Sequence, residues 1–477
     1  MKEVKIKRKD LLRISSYLNV ADVGGGSSLL FNGFTSRIDL VPSDVASELI
    51  GTKGWRDFSF FSPDEVQYLA NRGHLTGLST AGEQEEFRKL AEHILGMNEA
   101  TNSRKNGKRA IAFILTYKCN LSCSYCYQAG LRKNENIPSM DEAFVDEFFR
   151  LYLNKLFPRC HKKNMGFLLF GGEPLLPGNR GAIERILHYA GKYGIVVSAS
   201  TNAVMLPKML DLIGPENGKI NNVQVTLDGG RGFHDEIRIP QSGAPTFDDI
   251  IDSIRELIRV KAQAIIRMHL HPEKIESARG LAEYLEREGI LGHDRAYVYF
   301  SPINSFDGRG VSQSYVERFS ELFQHISFAQ HSPPSTFARG FARIMDANGM
   351  KSRLKTRFCS AGAGVLRVVD ALGDVYDCYE EAGNKDRRTA TLGGGKVKYF
   401  KLKDKYERRH ILNMPECLKC SVALYCGGGC MSQARLQRGS ILKSFCLQNK
   451  EIIGQTLKAY YLLNRAGKAG SVTGDIP

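Results

Sequence analysis

The sequence predicts an α/β protein built on a parallel sheet, open or closed as a partial barrel. Two observations carry this. Six short apolar runs fall at Ala110–Thr116, Gly166–Phe170, Ile195–Ser200, Val223–Leu227, Ala264–His269 and Tyr297–Ser301. Segments of helical periodicity, such as Asp141–Leu156 and Phe247–Val260, lie between them. Strands that alternate with helices pair in parallel through crossovers. Helix starts agree, with Ser139 placed to cap toward Glu142 and Thr246 toward Asp249. Functional groups on such sheets gather at the C-terminal ends of the strands.

The flanks read differently. Residues 1–105 form a small N-terminal α+β domain: Ser28–Phe31 and Arg37–Val41 make a hairpin around Asn32-Gly33. Ser62-Pro63-Asp64-Glu65 is a capping box with proline in the first turn. Another helix is expected near Glu83–Leu95, and the polar stretch Asn98–Arg109 reads as a linker. The core spans 106–345. Residues 346–465 are rich in glycine and cysteine and poor in apolar periodicity, so their fold is expected to depend on bound metal. Residues 466–477 read as a disordered tail.

At 477 residues, 42% hydrophobic and 25% charged, the composition is that of a folded soluble chain. The longest apolar runs, among them Ala110–Leu115, are strand-length, so no membrane span is expected. No apolar signal core follows the basic N-terminus, and a cytoplasmic location is the default. The net charge of +15 is spread along the chain without a long basic run. No nucleic-acid partner is expected from it; a groove for an acidic peptide or a carboxylate suits it equally well.

Eleven cysteines are the informative count. Cys119, Cys123 and Cys126 stand together, seven more lie between Cys359 and Cys446, and Cys160 alone reads as a structural thiol. Clustered thiols in a chain without an export signal point to metal rather than disulfides. Cys119-x3-Cys123-x2-Cys126 follows the first core strand directly. Three thiolates on one loop can hold three irons of a four-iron cluster and leave the fourth open to a chelating ligand. Zinc is the alternative, although structural zinc takes four ligands and no fourth is nearby.

Here the chain resembles the radical S-adenosylmethionine (SAM) superfamily over residues 110 to about 305. Its signature is this CxxxCxxC loop, and the resemblance implies a partial (β/α)6 TIM-like barrel. Tyr125 matches the aromatic position whose backbone contacts adenine. Gly171-Gly172-Glu173-Pro174 matches the GGEP motif that holds the methionine amino group. Bare glycines let carbonyls approach an ammonium that a carboxylate completes. Ser200-Thr201-Asn202 ends the third strand, where the family places polar contacts to SAM. Thr226, Asp228 and Arg238 fall in a stretch like the TLDG…HD..R of peptide-modifying members. Taken singly, these are a turn, a loop and a cap or surface pair. Ala203 departs from the family, which often has glycine there.

Further on, Cys359-x13-Gly373-x4-Cys378, then Cys417-x2-Cys420-x5-Cys426-x3-Cys430 and Cys446, resembles the seven-cysteine SPASM extension. A zinc ribbon of Cys417, Cys420, Cys426 and Cys430 is the alternative. The family pattern implies that Cys359, Cys378 and Cys430 hold auxiliary cluster I. It gives Cys417, Cys420, Cys426 and Cys446 to auxiliary cluster II. The eighth cysteine that some relatives carry upstream of the first is missing, so one iron of cluster I is open or bound by another ligand.

The resemblance implies three [4Fe–4S] clusters and SAM as cofactors in a cysteine-rich iron–sulfur domain and a radical core. It implies a ribosomally made peptide or protein as substrate, and a flavodoxin or ferredoxin as electron donor. The expected activity is peptide maturation, with a thioether or related cross-link as product. Oxidation of a Cys or Ser side chain to formylglycine is the enzyme alternative; Asp370, Asp374 and Asp377 are acidic residues near enough in sequence to be considered for its base. A non-catalytic iron–sulfur electron carrier is the reading from another class, and an open cluster loop beside GGEP argues against it.

Overall fold

A computed structural model describes residues 11–103, 107–132, 134, 136–158, 160–271, 274–302, 354–446, 454 and 458. The segment expected as a disordered tail, 466–477, lies outside the described residues. In the N-terminal part, β1 (Arg13–Ile14) pairs with β5 (Leu75–Thr76). β2 (Leu18–Gly24), β3 (Ser27–Asn32) and β4 (Arg37–Pro42) form an antiparallel sheet. The predicted hairpin is β3–β4, while β2 escaped sequence reading because its first four residues are all half-buried and only the last three alternate. The capping box is formed: Glu65 N–H donates to Ser62 Oγ at 3.3 Å and Ser62 N–H to Glu65 Oε2 at 2.7 Å. The first half of the expected linker is helix, since Thr80–Ser103 runs on to within a few residues of the core.

Six parallel strands follow: β6 (Arg109–Thr116), β7 (Met165–Gly171), β8 (Val196–Thr201), β9 (Ile220–Leu227), β10 (Gln263–Leu270) and β11 (Ala296–Pro302). Each overlaps a predicted strand. They lie in chain order across the sheet, as a chain of crossovers requires, and form the partial TIM-like barrel. Helices pack on the outer face. Phe247–Arg259 shows why: Phe247, Ile250, Ile251, Ile254 and Leu257 fall on one stripe and are buried, each stabilising by about 1.5–3 kcal/mol.

Two caps differ from expectation. The helix Glu142–Glu147 is capped by Asp141, which accepts from Phe144 N–H at 2.8 Å, while Ser139 donates to Thr116 Oγ1 at 2.9 Å. Helix Phe247–Arg259 is capped from outside, by Asp235 Oδ1 accepting from Thr246 and Phe247 N–H at 2.8 and 3.0 Å. A tertiary carboxylate has replaced the local one.

The third part is not detached. β12 (Leu366–Asp370) adds in parallel beside β6, and β13 (Asp374–Tyr376), β14 (Ala390–Gly393) and β15 (Lys396–Tyr399) continue the sheet antiparallel. β12 is buried along its whole length, so this region has more apolar core than its cysteine and glycine content predicts. Farther on, Ile411, Met414, Leu418, Val422 and Leu424 share one core with Tyr17, Phe31 and Phe87 of the N-terminal part. Tyr17 donates to Leu418 O at 2.6 Å and Ser421 to Asn19 Oδ1 at 2.7 Å across that contact. Among the described residues no helix is long and apolar enough to cross a membrane.

Candidate active site

β6 ends at Thr116 and runs straight into the loop of Cys119, Cys123 and Cys126. The neighbouring strand end holds that loop. Gly172 N–H donates to Thr116 O at 2.8 Å and Glu173 N–H to Lys118 O at 2.9 Å. Such an approach needs bare backbone. A Cβ on Gly172 would lie 2.2 Å from Lys118 O, and Gly171, at φ +133°, would place one 2.3 Å from Thr116 O. The two glycines therefore make room for the cysteine loop itself, a role the sequence reading gave to an approaching ligand.

Glu173 is buried behind this wall. Its Oε1 accepts from Leu175 N–H at 2.8 Å and the Thr201 hydroxyl at 2.6 Å, and its Oε2 from Asn202 N–H at 2.7 Å. Burial pushes its carboxyl upward against the pull of these donors. Glu173 thus ties the ends of β7 and β8. Pro174 lies in the same turn, its carbonyl accepting from Asn179 Nδ2 at 3.0 Å. Asn202 in turn donates to Asn120 Oδ1 at 2.8 Å and to Cys119 Sγ at 3.7 Å, while Leu121 N–H donates to the same sulfur at 3.4 Å. Ala203 has φ +67°, which explains why glycine suits this position.

The three thiols open into a cavity of about 510 Å³, a size that holds a ligand larger than an amino acid. Gly171, Gly172, Ser200, Thr201, Asn202, Thr226 and Arg238 line it, so these predicted residues are brought together. Burial pushes the Cys119 thiol up to about 12, with Glu173 adding to the rise, and pushes Cys123 up as well.

On the far wall, Asp228 is the centre of a buried network. Its Oδ2 accepts from the Tyr125 hydroxyl at 2.7 Å and from Arg238 at 3.1 Å. His269 and His271 lie 3.1 and 2.9 Å from its Oδ1. Despite burial, which opposes ionisation, His269, His271 and Arg238 hold its carboxyl well below the usual range. Tyr125 thus contributes its hydroxyl to this network. His269 and His271 escaped sequence reading; their only signal was a strand ending in His-Leu-His. His234 is not a pocket group: its Nδ1 accepts from Asp228 N–H at 3.3 Å, and burial pushes it down to about 3.

Residues 113–285 match the radical SAM superfamily. The chain carries a radical SAM domain over those residues. It is 21% identical, over 90% of its length and 92% of the other's, to the radical SAM cyclopropyl synthase TigE of Paramaledivibacter caminithermalis. It is 23% identical to the serine-type anaerobic sulfatase-maturating enzyme of Klebsiella aerogenes, over 65% of this chain and 76% of that one. Among solved structures it resembles native anSMEcpe with bound AdoMet and a Cp18Cys peptide, with TM-score 0.56 and 18% identity over 75% of this chain and 98% of that one, a likeness of fold.

The residues of this site suit the groups that a radical SAM domain implies. Three thiols line one side of the cavity, and on the others Arg238 and Arg267 each bury an Nε without a hydrogen-bond partner, as a bound carboxylate would use. Among the described residues no three His, Cys, Asp or Glu side chains converge on a single ion; cubane ligands each bind a different iron and stand farther apart.

The C-terminal thiols sort into two neighbourhoods. Cys378 feels the charge of Cys359 and Cys430, while Cys417 feels Cys426 and Cys420, and Cys426 feels Cys420 and Cys446. Burial is the largest cause of the rise in each of these three thiols, taking Cys417 to about 12 and Cys426 to about 11. Arg409 reaches both groups: it donates to Gly428 O at 3.1 Å, Gly429 O at 2.8 Å and Lys443 O at 2.6 Å. Burial pushes its guanidinium down while Cys430, Cys359, Cys417 and Cys426 hold it up. Asp370, Asp374 and Asp377 are committed elsewhere. Asp370 accepts from Tyr117 at 3.0 Å, Asp374 pairs with Arg388 at 2.9 Å, and Asp377 with Arg367 at 3.0 Å. Cys160 is a lone thiol at the edge of the main core.

Proposed function

We propose that this chain is a peptide or protein maturase that cleaves SAM in the cavity of Cys119, Cys123 and Cys126 and closes a thioether in its substrate. The observation that carries it is the meeting, in one cavity, of three loop thiols, two unpartnered guanidinium nitrogens and a wall from the C-terminal thiol region, Tyr379 and Glu380. When bound, a four-iron cluster and SAM supply a 5′-deoxyadenosyl radical able to take an unactivated hydrogen. Cys119, Cys123 and Cys126 hold that cluster, Arg238 and Arg267 orient the SAM carboxylate, and Gly171 and Gly172 line its amino end. Cys359, Cys378 and Cys430 hold one auxiliary cluster and Cys417, Cys420, Cys426 and Cys446 another. A flavodoxin or ferredoxin delivers the electron, and the substrate enters as an extended ribosomal peptide.

The test is mass spectrometry of a cysteine-bearing peptide encoded beside the gene, incubated with enzyme, SAM and reductant. The expected product is short of two hydrogens and no longer reacts with thiol-alkylating reagents. A product short of two hydrogens with its thiol still free argues for a carbon–carbon link. The relatives named for sulfatase maturation favour a second reading, oxidation of a Cys or Ser side chain to formylglycine, and an aldehyde product supports it.

A further inference from the structure

We propose that Glu380 is the fourth ligand of the auxiliary cluster held by Cys359, Cys378 and Cys430, an oxygen donor where the other cluster has a fourth thiolate. This rests on the cluster assignment above and deepens it. The two thiol neighbourhoods differ by one: Cys417, Cys420, Cys426 and Cys446 make one, and Cys359, Cys378 and Cys430 the other. A cubane of four irons presents four corners, so the smaller group lacks one donor.

Glu380 stands where that donor is needed. It lies in the short turn Tyr379–Glu381 directly after Cys378, and its Oε2 is 3.9 Å from Cys430 Sγ. The side chain also lines the cavity into which Cys119, Cys123 and Cys126 open. Ser432 also hydrogen-bonds the Glu380 carboxyl, whereas its acidic neighbours in sequence and space are engaged with arginines and hydroxyls away from the thiols. Glu381 pairs with Arg435 at 2.9 Å and accepts from Tyr406, and Asp377 is bound to Arg367 and to Thr389 at 2.8 Å. Among the described acidic side chains, Glu380 is the one that faces both the three thiols and the cavity. Carboxylate oxygen is a harder donor than thiolate and a weaker partner for a sulfur-ligated iron. A ligand of this kind, on the cavity side, is the one that a substrate thiolate can displace.

The experiment uses the full chain carrying Cys119→Ala, Cys123→Ala and Cys126→Ala, reconstituted with isotopically enriched iron and sulfide, so that only the C-terminal clusters are present. Its Mössbauer spectrum should show one iron in about eight with the larger isomer shift of an oxygen-ligated site. Glu380→Cys should convert that iron to the all-thiolate type with full iron content. Glu380→Ala should leave it labile, so that mild oxidation raises a three-iron electron paramagnetic resonance signal at least about tenfold over the parent. A parent with about eight irons whose spectrum is the same in all three proteins overturns the Glu380 assignment alone. A parent that holds no sulfide overturns the cluster reading and this assignment with it. Glu380→Cys keeps the test decisive where Glu380→Ala does not assemble.

Discussion

The loop of Cys119, Cys123 and Cys126 hangs from strand ends, whereas the segment from Cys417 to Cys446 hangs on loops, short helices and a neighbouring domain. In the first, parallel strands fix Thr116, Gly171 and Thr201 before any thiol is placed, and backbone bonds from Gly172 and Glu173 draw the loop in. In the second, Ala423–Cys426 and Pro415–Leu418 are single helical turns, and Gly427, Gly428 and Gly429 all have positive φ. A Cβ on Gly429 would lie 1.8 Å from Phe445 O. Arg409 and the N-terminal residues Tyr17 and Phe31 supply the packing that regular elements give the core. One region is thus held by regular strands; the other is held by turns and by tertiary contacts.

The largest expected effect follows from this contrast. Protein prepared without iron and sulfide should lose protease protection within 411–446 at least about a hundredfold, while 109–302 stays resistant. Equal cutting in both regions would break the comparison. Next comes Gly172→Ala. Its Cβ would collide with backbone, so the variant should lose about 3 kcal/mol or more and about four of roughly twelve irons, sparing the C-terminal clusters. Iron analysis with thermal unfolding reads both, and full iron content would show that the strand end does not place the loop.

Acid should act on the core as well. His234 accepts Asp228 N–H only when its Nδ1 is unprotonated, and its folded pKa lies at about 3. The folded state then binds fewer protons than the unfolded one between that value and the ordinary 6.5, so the stability is present above 6.5 and is lost as pH falls. Between pH 6.5 and 4.5 the loss should be about 2 kcal/mol, measured by urea unfolding and flattened in His234→Gln. An unchanged acid limb in the variant would exclude His234 as its source. The smallest effect is Ala203→Gly. Relief of the left-handed backbone, about 1–2 kcal/mol, is set against a buried methyl worth about 0.8 kcal/mol, so a gain below about 1 kcal/mol is expected in the same assay.

Much of the core was legible because its signals are local. Apolar runs of strand length, bounded by turns, marked β6 to β11 to within a few residues, and the CxxxCxxC loop and the Gly-Gly-Glu-Pro turn marked two strand ends. The caps were read less well. Asp141 and Asp235 took over from Ser139 and Thr246 because a stronger acceptor was brought near by the turn or by the fold. β12 was missed since it is five residues long and draws its pairing from a strand some 250 positions earlier, Leu366 opposite Ala110.

The positions of the six core strands and the three-thiol loop were legible in the sequence itself, because periodicity and spacing are properties of neighbours along the chain; the two sets of C-terminal cysteines came from the family resemblance. Only tertiary structure decided that Asp228 gathers Tyr125, Arg238, His269 and His271, that Glu173 is spent on β8, and that Glu380 stands between Cys430 and the cavity. These are meetings of residues far apart in sequence, and burial, which decides whether a carboxylate is solvated or used, exists only once the chain has closed around it.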